Sequence, residues 1–175
     1  MCAKKLDQDR ALKRSSTQTT LPVVCQDATR MQLLLKQVAS CSSDCISWQV
    51  QKVDFAFEST LSSRTFALFL RTLKTKGYAV VIYYFALSSA QLAVRRVKLR
   101  VSLGGHHVPS DVIQRRFGRS LSNFFTLYLP LADEWTLFDN SNKGTAKQVA
   151  TQTADQLTIT EIMTWQKLQK LRKTF

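Results

Sequence analysis

Glycine and proline are scarce in this chain, at 5 and 3 among 175 residues, and no glycine precedes Gly77. Collagen-like and low-complexity architectures are excluded by that composition. Gly-x-x-x-x-Gly-Lys-Ser/Thr and Gly-x-Gly-x-x-Gly loops, which need glycine where backbone closely approaches phosphate, are absent. So are the Gly-x-Ser-x-Gly elbow of serine hydrolases and the His-Glu-x-x-His pattern of zinc proteases. No apolar run approaches the roughly 18–20 residues of a membrane-spanning helix; the longest, Ala79 to Leu87, is strand-length. The charged beginning (Lys4, Lys5, Asp7, Asp9, Arg10) lacks the apolar stretch of a secretory signal, so a soluble, cytoplasmic protein is expected. Acidic residues are also few: 12 against 25 Lys and Arg, a net charge of +13 with pI ≈ 10.0. That excess favours anionic partners without choosing among nucleotides, nucleic acids and acidic surfaces.

What the chain does have is apolar side chains: 45% are hydrophobic, enough for the core of one domain. The cysteines Cys2, Cys25, Cys41 and Cys45 all lie near the start, and His106 and His107 are the only histidines. Two thiols at helical spacing, with no histidine near them in sequence, fall short of a structural zinc set, so free thiols and no metal site are expected.

Residues 1–20 read as a disordered, basic and polar tail, and 21–175 as a single domain. Leu21 to Cys25 could form a short strand, and Asp27 to Ala39 a helix with Met31, Leu34, Leu35 and Val38 on one face. Val53 to Glu58 reads as a buried strand ending in an acid. Ser62 or Ser63 caps a helix bearing Phe66, Phe69, Leu70 and Leu73, which Gly77 stops. Tyr78 to Leu87 is rich in Val, Ile, Tyr and Phe, as expected of a strand covered on both faces. Ser88 and Ser89 open a second helix, ended by Gly104-Gly105. Pro109 and Ser110 open a third, running through Ile113, Phe117, Leu121 and Phe124 until Pro130. Glu134 to Asp139 alternates as a strand should, and 156–172 has the spacing of a terminal amphipathic helix. Alternating strands and helices predict an α/β fold with a mainly parallel sheet flanked by helices. Ligands of such sheets bind at the carboxyl ends of the strands, which singles out Glu58 and Thr60.

On the third helix Arg115 and Arg119 stand one turn apart, with Arg116 beside them. Three guanidiniums that close suit phosphate oxygens, which arginine binds bidentately. Arg95, Arg96, Lys98 and Arg100 extend the positive field. A solvated helix face is the plainer reading of such a cluster, but this one follows a Gly-Gly-His-His hinge, where a lid could move.

Asp54-Phe55-Ala56-Phe57-Glu58-Ser59-Thr60-Leu61-Ser62-Ser63-Arg64 resembles a segment of zeta-toxin-like P-loop kinases, in which a strand ends in an acid followed by Thr and Leu-Ser-x-Arg. Arg100-Val101-x-x-Gly104-Gly105-His106-x-Val108-Pro109 and Ile113-x-Arg115-Arg116-Phe117-x-Arg119-Ser120-Leu121-x-Asn123-Phe124 are similar to the same family's lid. Tyr128-x-Pro130-Leu131-Ala132-Asp133-x-Trp135 and Asp139-Asn140-Ser141 complete a resemblance running in order from about 54 to 141.

The resemblance implies a P-loop nucleotide-kinase-like fold, with ATP and Mg2+ as cofactors. Family members transfer the γ-phosphate of ATP to a small hydroxyl acceptor, and zeta toxins phosphorylate UDP-N-acetylglucosamine. It places Glu58 and Thr60 on the acceptor and magnesium side with Arg64 nearby, and Arg100, Arg115, Arg116 and Arg119 in a phosphate-clamping lid, Arg116 with a catalytic role. It also implies a nucleotide or nucleotide sugar as ligand and an antitoxin-like protein as partner. Residues 21–52 diverge from the family, 53–141 form the kinase-like core with its lid, and 142–175 add a C-terminal strand and helix. The phosphate loop and the acceptor-activating Asn-Ala-Asp are missing, so the expectation is a truncated or degenerate member, incomplete at the N-terminus and inactive as it stands. Loss of the family's first strand would leave a gap in the sheet, for which Leu21 to Cys25 is the candidate substitute. The alternative is a basic nucleic-acid-binding module without enzymatic activity, although no finger, RNP-like or helix-turn-helix signature accompanies the charge.

Overall fold

The computed structural model describes residues 2–5, 55–142, 144–154 and 156–174. The strand and helix expected at 21–25 and 27–39, and Cys25, Cys41 and Cys45, lie outside them. In chain order the elements are β1 (Cys2–Lys5), β2 (Phe55–Ala56), α1 (Thr65–Thr75), β3 (Tyr78–Ala86), α2 (Ala90–Ser102), α3 (Ser110–Asn123), β4 (Glu134–Asp139), β5 (Lys147–Thr153), β6 (Gln156–Ile159) and α4 (Ile162–Leu171). The order across the sheet is β2-β1-β3-β4-β5-β6.

The mainly parallel sheet is corrected by the hydrogen bonding. Among the described residues only β3 and β4 pair in parallel; β1 is antiparallel to both β2 and β3, and β5 to both β4 and β6. The cause lies in the connections. A parallel pair needs a long crossover, which α2 and α3 supply between β3 and β4. The links from β4 to β5 and from β5 to β6 are short, and short links make hairpins. β2, β3, β4 and β6 still point the same way, and β1 and β5 are interleaved against them. Cys2–Lys5 lies between β2 and β3, running opposite to both.

Local rules account for most boundaries. Neither Ser62 nor Ser63 caps α1, whose N-cap is Arg64 with no side-chain cap; Ser63 Oγ accepts from Thr65 N–H at 3.1 Å just ahead of it, and Gly77, at φ 79°, turns the chain into β3. Ser89 caps α2 by accepting from Leu92 N–H at 3.2 Å. That helix ends in a Schellman motif: Gly104 N–H donates to Val101 O at 3.0 Å and Gly105 N–H to Arg100 O at 2.9 Å. Past Asn123 the third helix loosens into a π-helical turn at Phe124–Tyr128 and a 3-10 turn at Leu129–Leu131. Along β3, Tyr78, Val80 and Ile82 are buried while Phe85 is exposed, so this strand is not covered evenly on both faces as its composition suggested.

The terminal helix is shorter than expected. Residues 156–159 form β6, and the helix begins only at Ile162. Ala154 takes a left-handed φ of 51° in the β5–β6 turn, and the β-branched Thr158 and Ile159 suit the pleat. The core lies between sheet and helices. Phe124 stacks on Tyr84 at 4.2 Å and meets Trp135 edge-on at 6.2 Å, while Trp135 stacks on Trp165 at 5.9 Å.

Candidate functional site

Because β2, β3 and β4 share a direction, their carboxyl ends collect along one edge of the sheet. Glu58 follows β2, Ser88 and Ser89 follow β3, and Asn140 and Ser141 follow β4. A polar knot ties the two central ends together. Ser88 N–H donates to Ser141 Oγ at 2.8 Å, and Ser141 donates its N–H (2.9 Å) and its hydroxyl to Asp139 Oδ1. Asn140 N–H donates to Ala86 O at 2.9 Å. Arg96, on α2, closes the knot from above, with Nη2 donating to Asn140 O at 2.5 Å and Ser141 O at 3.3 Å. Sequence reasoning counted Arg96 only as background charge. The one available signal was its place two turns after the Ser89 cap.

Glu58 and Thr60 are exposed on the loop from β2 to α1, and Thr60 Oγ1 lies 2.9 Å from Ser62 Oγ. The loop is firmly held. Leu61 is buried at φ 55°, a backbone region unfavourable to a branched side chain. Buried Asn123 donates Nδ2–H to Leu61 O at 2.9 Å, and Tyr128 donates its hydroxyl to Ser63 O at 2.5 Å. Asn123→Ala is expected to cost about 1–3 kcal/mol, because a buried carbonyl loses its donor, and to loosen the loop carrying Glu58. Urea unfolding checks this; an unchanged midpoint would mean that the loop is fixed elsewhere.

The arginines separate by helix geometry. Arg116, Ser120 and Asn123 stand at i, i+4 and i+7 and share one stripe of α3. Asn123 reaches the Glu58 loop, and Ser120 Oγ lies 2.9 Å from Tyr84 Oη on β3. Arg116 is therefore the exposed arginine on the sheet side. Arg115 and Arg119 are also exposed but belong to the neighbouring, outward stripe. Arg100, on α2, folds over the hinge, with Nη2 donating to His106 O at 3.0 Å. A Cβ on Gly105 would lie 2.6 Å from Arg100 Cγ, so this fold-back needs glycine. Arg96, Arg100, Leu99, Leu103 and the two glycines line an open recess of about 420 Å³. Arg64 is exposed, immediately before α1. Between Ala90 and Asn123, seven basic side chains (Arg95, Arg96, Lys98, Arg100, Arg115, Arg116, Arg119) face one acid, Asp111.

Burial pushes the Tyr84 hydroxyl up to about 12, against the smaller opposing effect of its Ser120 hydrogen bond, and burial likewise pushes Tyr128 up to about 12. Unfolded tyrosine ionises near 10, so the stability these groups contribute is present below pH 10 and lost between about pH 10 and 12. The expected result is a melting temperature that falls steeply over that window, and less steeply in Tyr84→Phe. Equal slopes in the two proteins would contradict it.

A family model described as Zeta toxin matches residues 36–146, more than half of the chain. The chain belongs to the zeta toxin family. The family is one of P-loop kinase-like domains, and its matched segment takes in the Glu58 loop, the hinge and the arginine helix. An uncharacterized protein of Haemophilus influenzae is 31% identical over 67 residues, covering 38% of this chain and 48% of that protein. The chain thus spans about half the length of this curated relative. No solved structure matches. Among the described residues no helix is long and apolar enough to cross a membrane, and no three His, Cys, Asp or Glu side chains gather as a metal site would require.

Proposed function

We propose that this chain presents the acceptor side and the arginine lid of a zeta-toxin-like phosphotransferase, and that it binds a nucleotide polyphosphate without transferring phosphate as it stands. The observation that carries the reading is the stripe of α3 that joins Arg116, through Ser120 and Asn123, to the carboxyl ends of β2 and β3. A guanidinium there suits phosphate charge lying over the edge that holds Glu58. Phosphoryl transfer depends on such positioning and on positive charge around the moving group.

The inactivity rests on the sequence. No Gly-x-x-x-x-Gly-Lys-Ser/Thr loop occurs in it, and that loop supplies the backbone amides and the lysine that hold the β- and γ-phosphates. Magnesium takes one or two carboxylates together with phosphate oxygens and waters. Exposed Glu58, with the Thr60 hydroxyl nearby in sequence, fits an ion that arrives with a nucleotide better than one held by the protein alone. When bound, the ion would neutralise charge on the phosphates. The chain's own residues would orient them, Arg116 from α3 and Arg100 from the hinge.

The test pairs two measurements on the purified protein. Calorimetric titration with ATP and magnesium is expected to show weak, salt-sensitive binding. Incubation with γ-labelled ATP and UDP-N-acetylglucosamine is expected to yield no labelled sugar. Labelled product would overturn the inactivity, and absence of ATP binding at low salt would overturn the lid.

A further inference from the structure

We propose that the second face of the sheet is the docking surface for residues 27–39 of this chain, seated there as a helix through Met31, Leu34, Leu35 and Val38. Among the described residues, α1, α3 and α4 all pack on the first face. Tyr84 of β3 stacks on Phe124 and its hydroxyl meets Ser120 of α3, and Trp135 of β4 stacks on Trp165 of α4. Leu70 and Leu73 of α1 are buried in one cluster with Val80 and Ile82. Side chains alternate along a strand, so Val81, Tyr83 and Phe85 of β3 and Thr136 and Phe138 of β4 belong to the other face. There Phe85 stacks on Phe138 at 5.0 Å, and Thr136 Oγ1 lies 3.0 Å from Thr151 Oγ1.

That second face has the chemistry of a covered one. A sheet face left to water carries polar side chains, whereas Val81, Tyr83, Phe85 and Phe138 form an apolar tract across the parallel pair. Their burial is partial: Phe85 is 53% exposed, and Val81, Tyr83 and Phe138 are half-buried. Parallel strands joined by a helical crossover need a layer on each side. One layer is α1, α3 and α4, and the apolar tract calls for the other.

The course of the chain selects the occupant. β1 ends with Lys5 opposite Tyr78, and β2 begins with Phe55 opposite Ala3, so residues 6–54 leave and re-enter the sheet near the amino end of β3. Within them Met31, Leu34, Leu35 and Val38 stand at i, i+3, i+4 and i+7, one apolar stripe of a helix with Lys36 on its far side. Such a helix is about 20 Å long, the length of a six-residue strand such as β4. Residues 40–54, at about 3.3 Å each when extended, reach back to β2 with length to spare. A tethered segment acts at an effective concentration of millimolar order, which a separate molecule would have to exceed. A second copy would also bring together two chains of net charge +13. This placement is independent of phosphoryl transfer.

The test is cross-linking in the full chain, with Cys2, Cys25, Cys41 and Cys45 replaced by serine. Leu35→Cys/Thr136→Cys is treated with a bismaleimide spanning about 10 Å, the separation of packed layers. A link within one chain is expected, identified by mass spectrometry of the digested monomer. Its yield should exceed about tenfold that of Lys36→Cys/Thr136→Cys, whose first thiol stands across the helix, about 10 Å farther from the sheet. Equal yields from the two variants, or no link, would overturn the proposal. A link between two chains would assign the face to a second copy and overturn it as well. Urea unfolding gives a second reading. Leu34→Ser/Leu35→Ser and Val81→Ser should each lower the midpoint, and together they should lose less than the sum, because both remove the same contact. Strict additivity would contradict the docking. Should a serine variant not fold, the cross-link decides alone.

Discussion

Phe124→Ala should destabilise the domain by about 3–5 kcal/mol, the range for truncating a fully buried phenylalanine. A domain stability of about 5–15 kcal/mol makes that a large part of the whole. Phe124 has no exposed surface and stands where α3 opens into its π-helical turn. Its ring stacks on Tyr84 at 4.2 Å with 12° between planes, meets Phe125 at 5.2 Å and approaches Trp135 at 6.2 Å. Removing it opens a cavity between β3, β4 and α3 together. Leu68→Ala, at 62% exposure on α1, should change stability by less than about 0.5 kcal/mol. Phe117 belongs to the same apolar face of α3 but is only half-buried, so its truncation should fall between the two. Urea unfolding of the three variants checks the order; a Phe124→Ala midpoint close to that of Leu68→Ala would contradict this account of the core.

The same contrast shows what the sequence made legible. Helical spacing at Phe66, Phe69, Leu70 and Leu73, the Ser89 cap and the glycine stops mark features that local physics decides, and α1, α2, α3, β3 and β4 formed where those signals lie. Sheet pairing was not legible. Cys2–Lys5 is too short and too charged for periodicity to identify, yet it takes the slot beside β3 through backbone bonds to which side-chain pattern is blind. β6 was hidden by a coincidence of periods: Ile159, Ile162 and Trp165 satisfy a helical spacing, while the turn at Ala154 and the pairing with β5 impose a strand. Of the candidate site, residue types and order could be read from the sequence. The roles of Arg96, Ser120 and Asn123 could not, because each depends on a partner at least 36 positions away.

The second large effect concerns Arg116. If phosphate lies over the carboxyl edge of β3, the arginine on the stripe of Ser120 and Asn123 meets it, and those on the outward stripe contribute only to the long-range field. A hydrogen bond between charged groups is worth about 1.5–3 kcal/mol net, so Arg116→Ala should weaken ATP binding about ten- to hundredfold. Arg119→Ala should weaken it less, and its effect should fade as salt screens the field. Both side chains are exposed, so neither change should shift the melting temperature appreciably. Calorimetry on the two variants at low and moderate salt separates these outcomes. Equal losses would mean that the helix acts as an undirected patch of charge, and a larger loss in Arg119→Ala would place the nucleotide on the outer side of α3. A selective loss in Arg116→Ala would instead locate the polyphosphate between the arginine helix and the Glu58 loop, where the hydroxyl of an acceptor would have to enter.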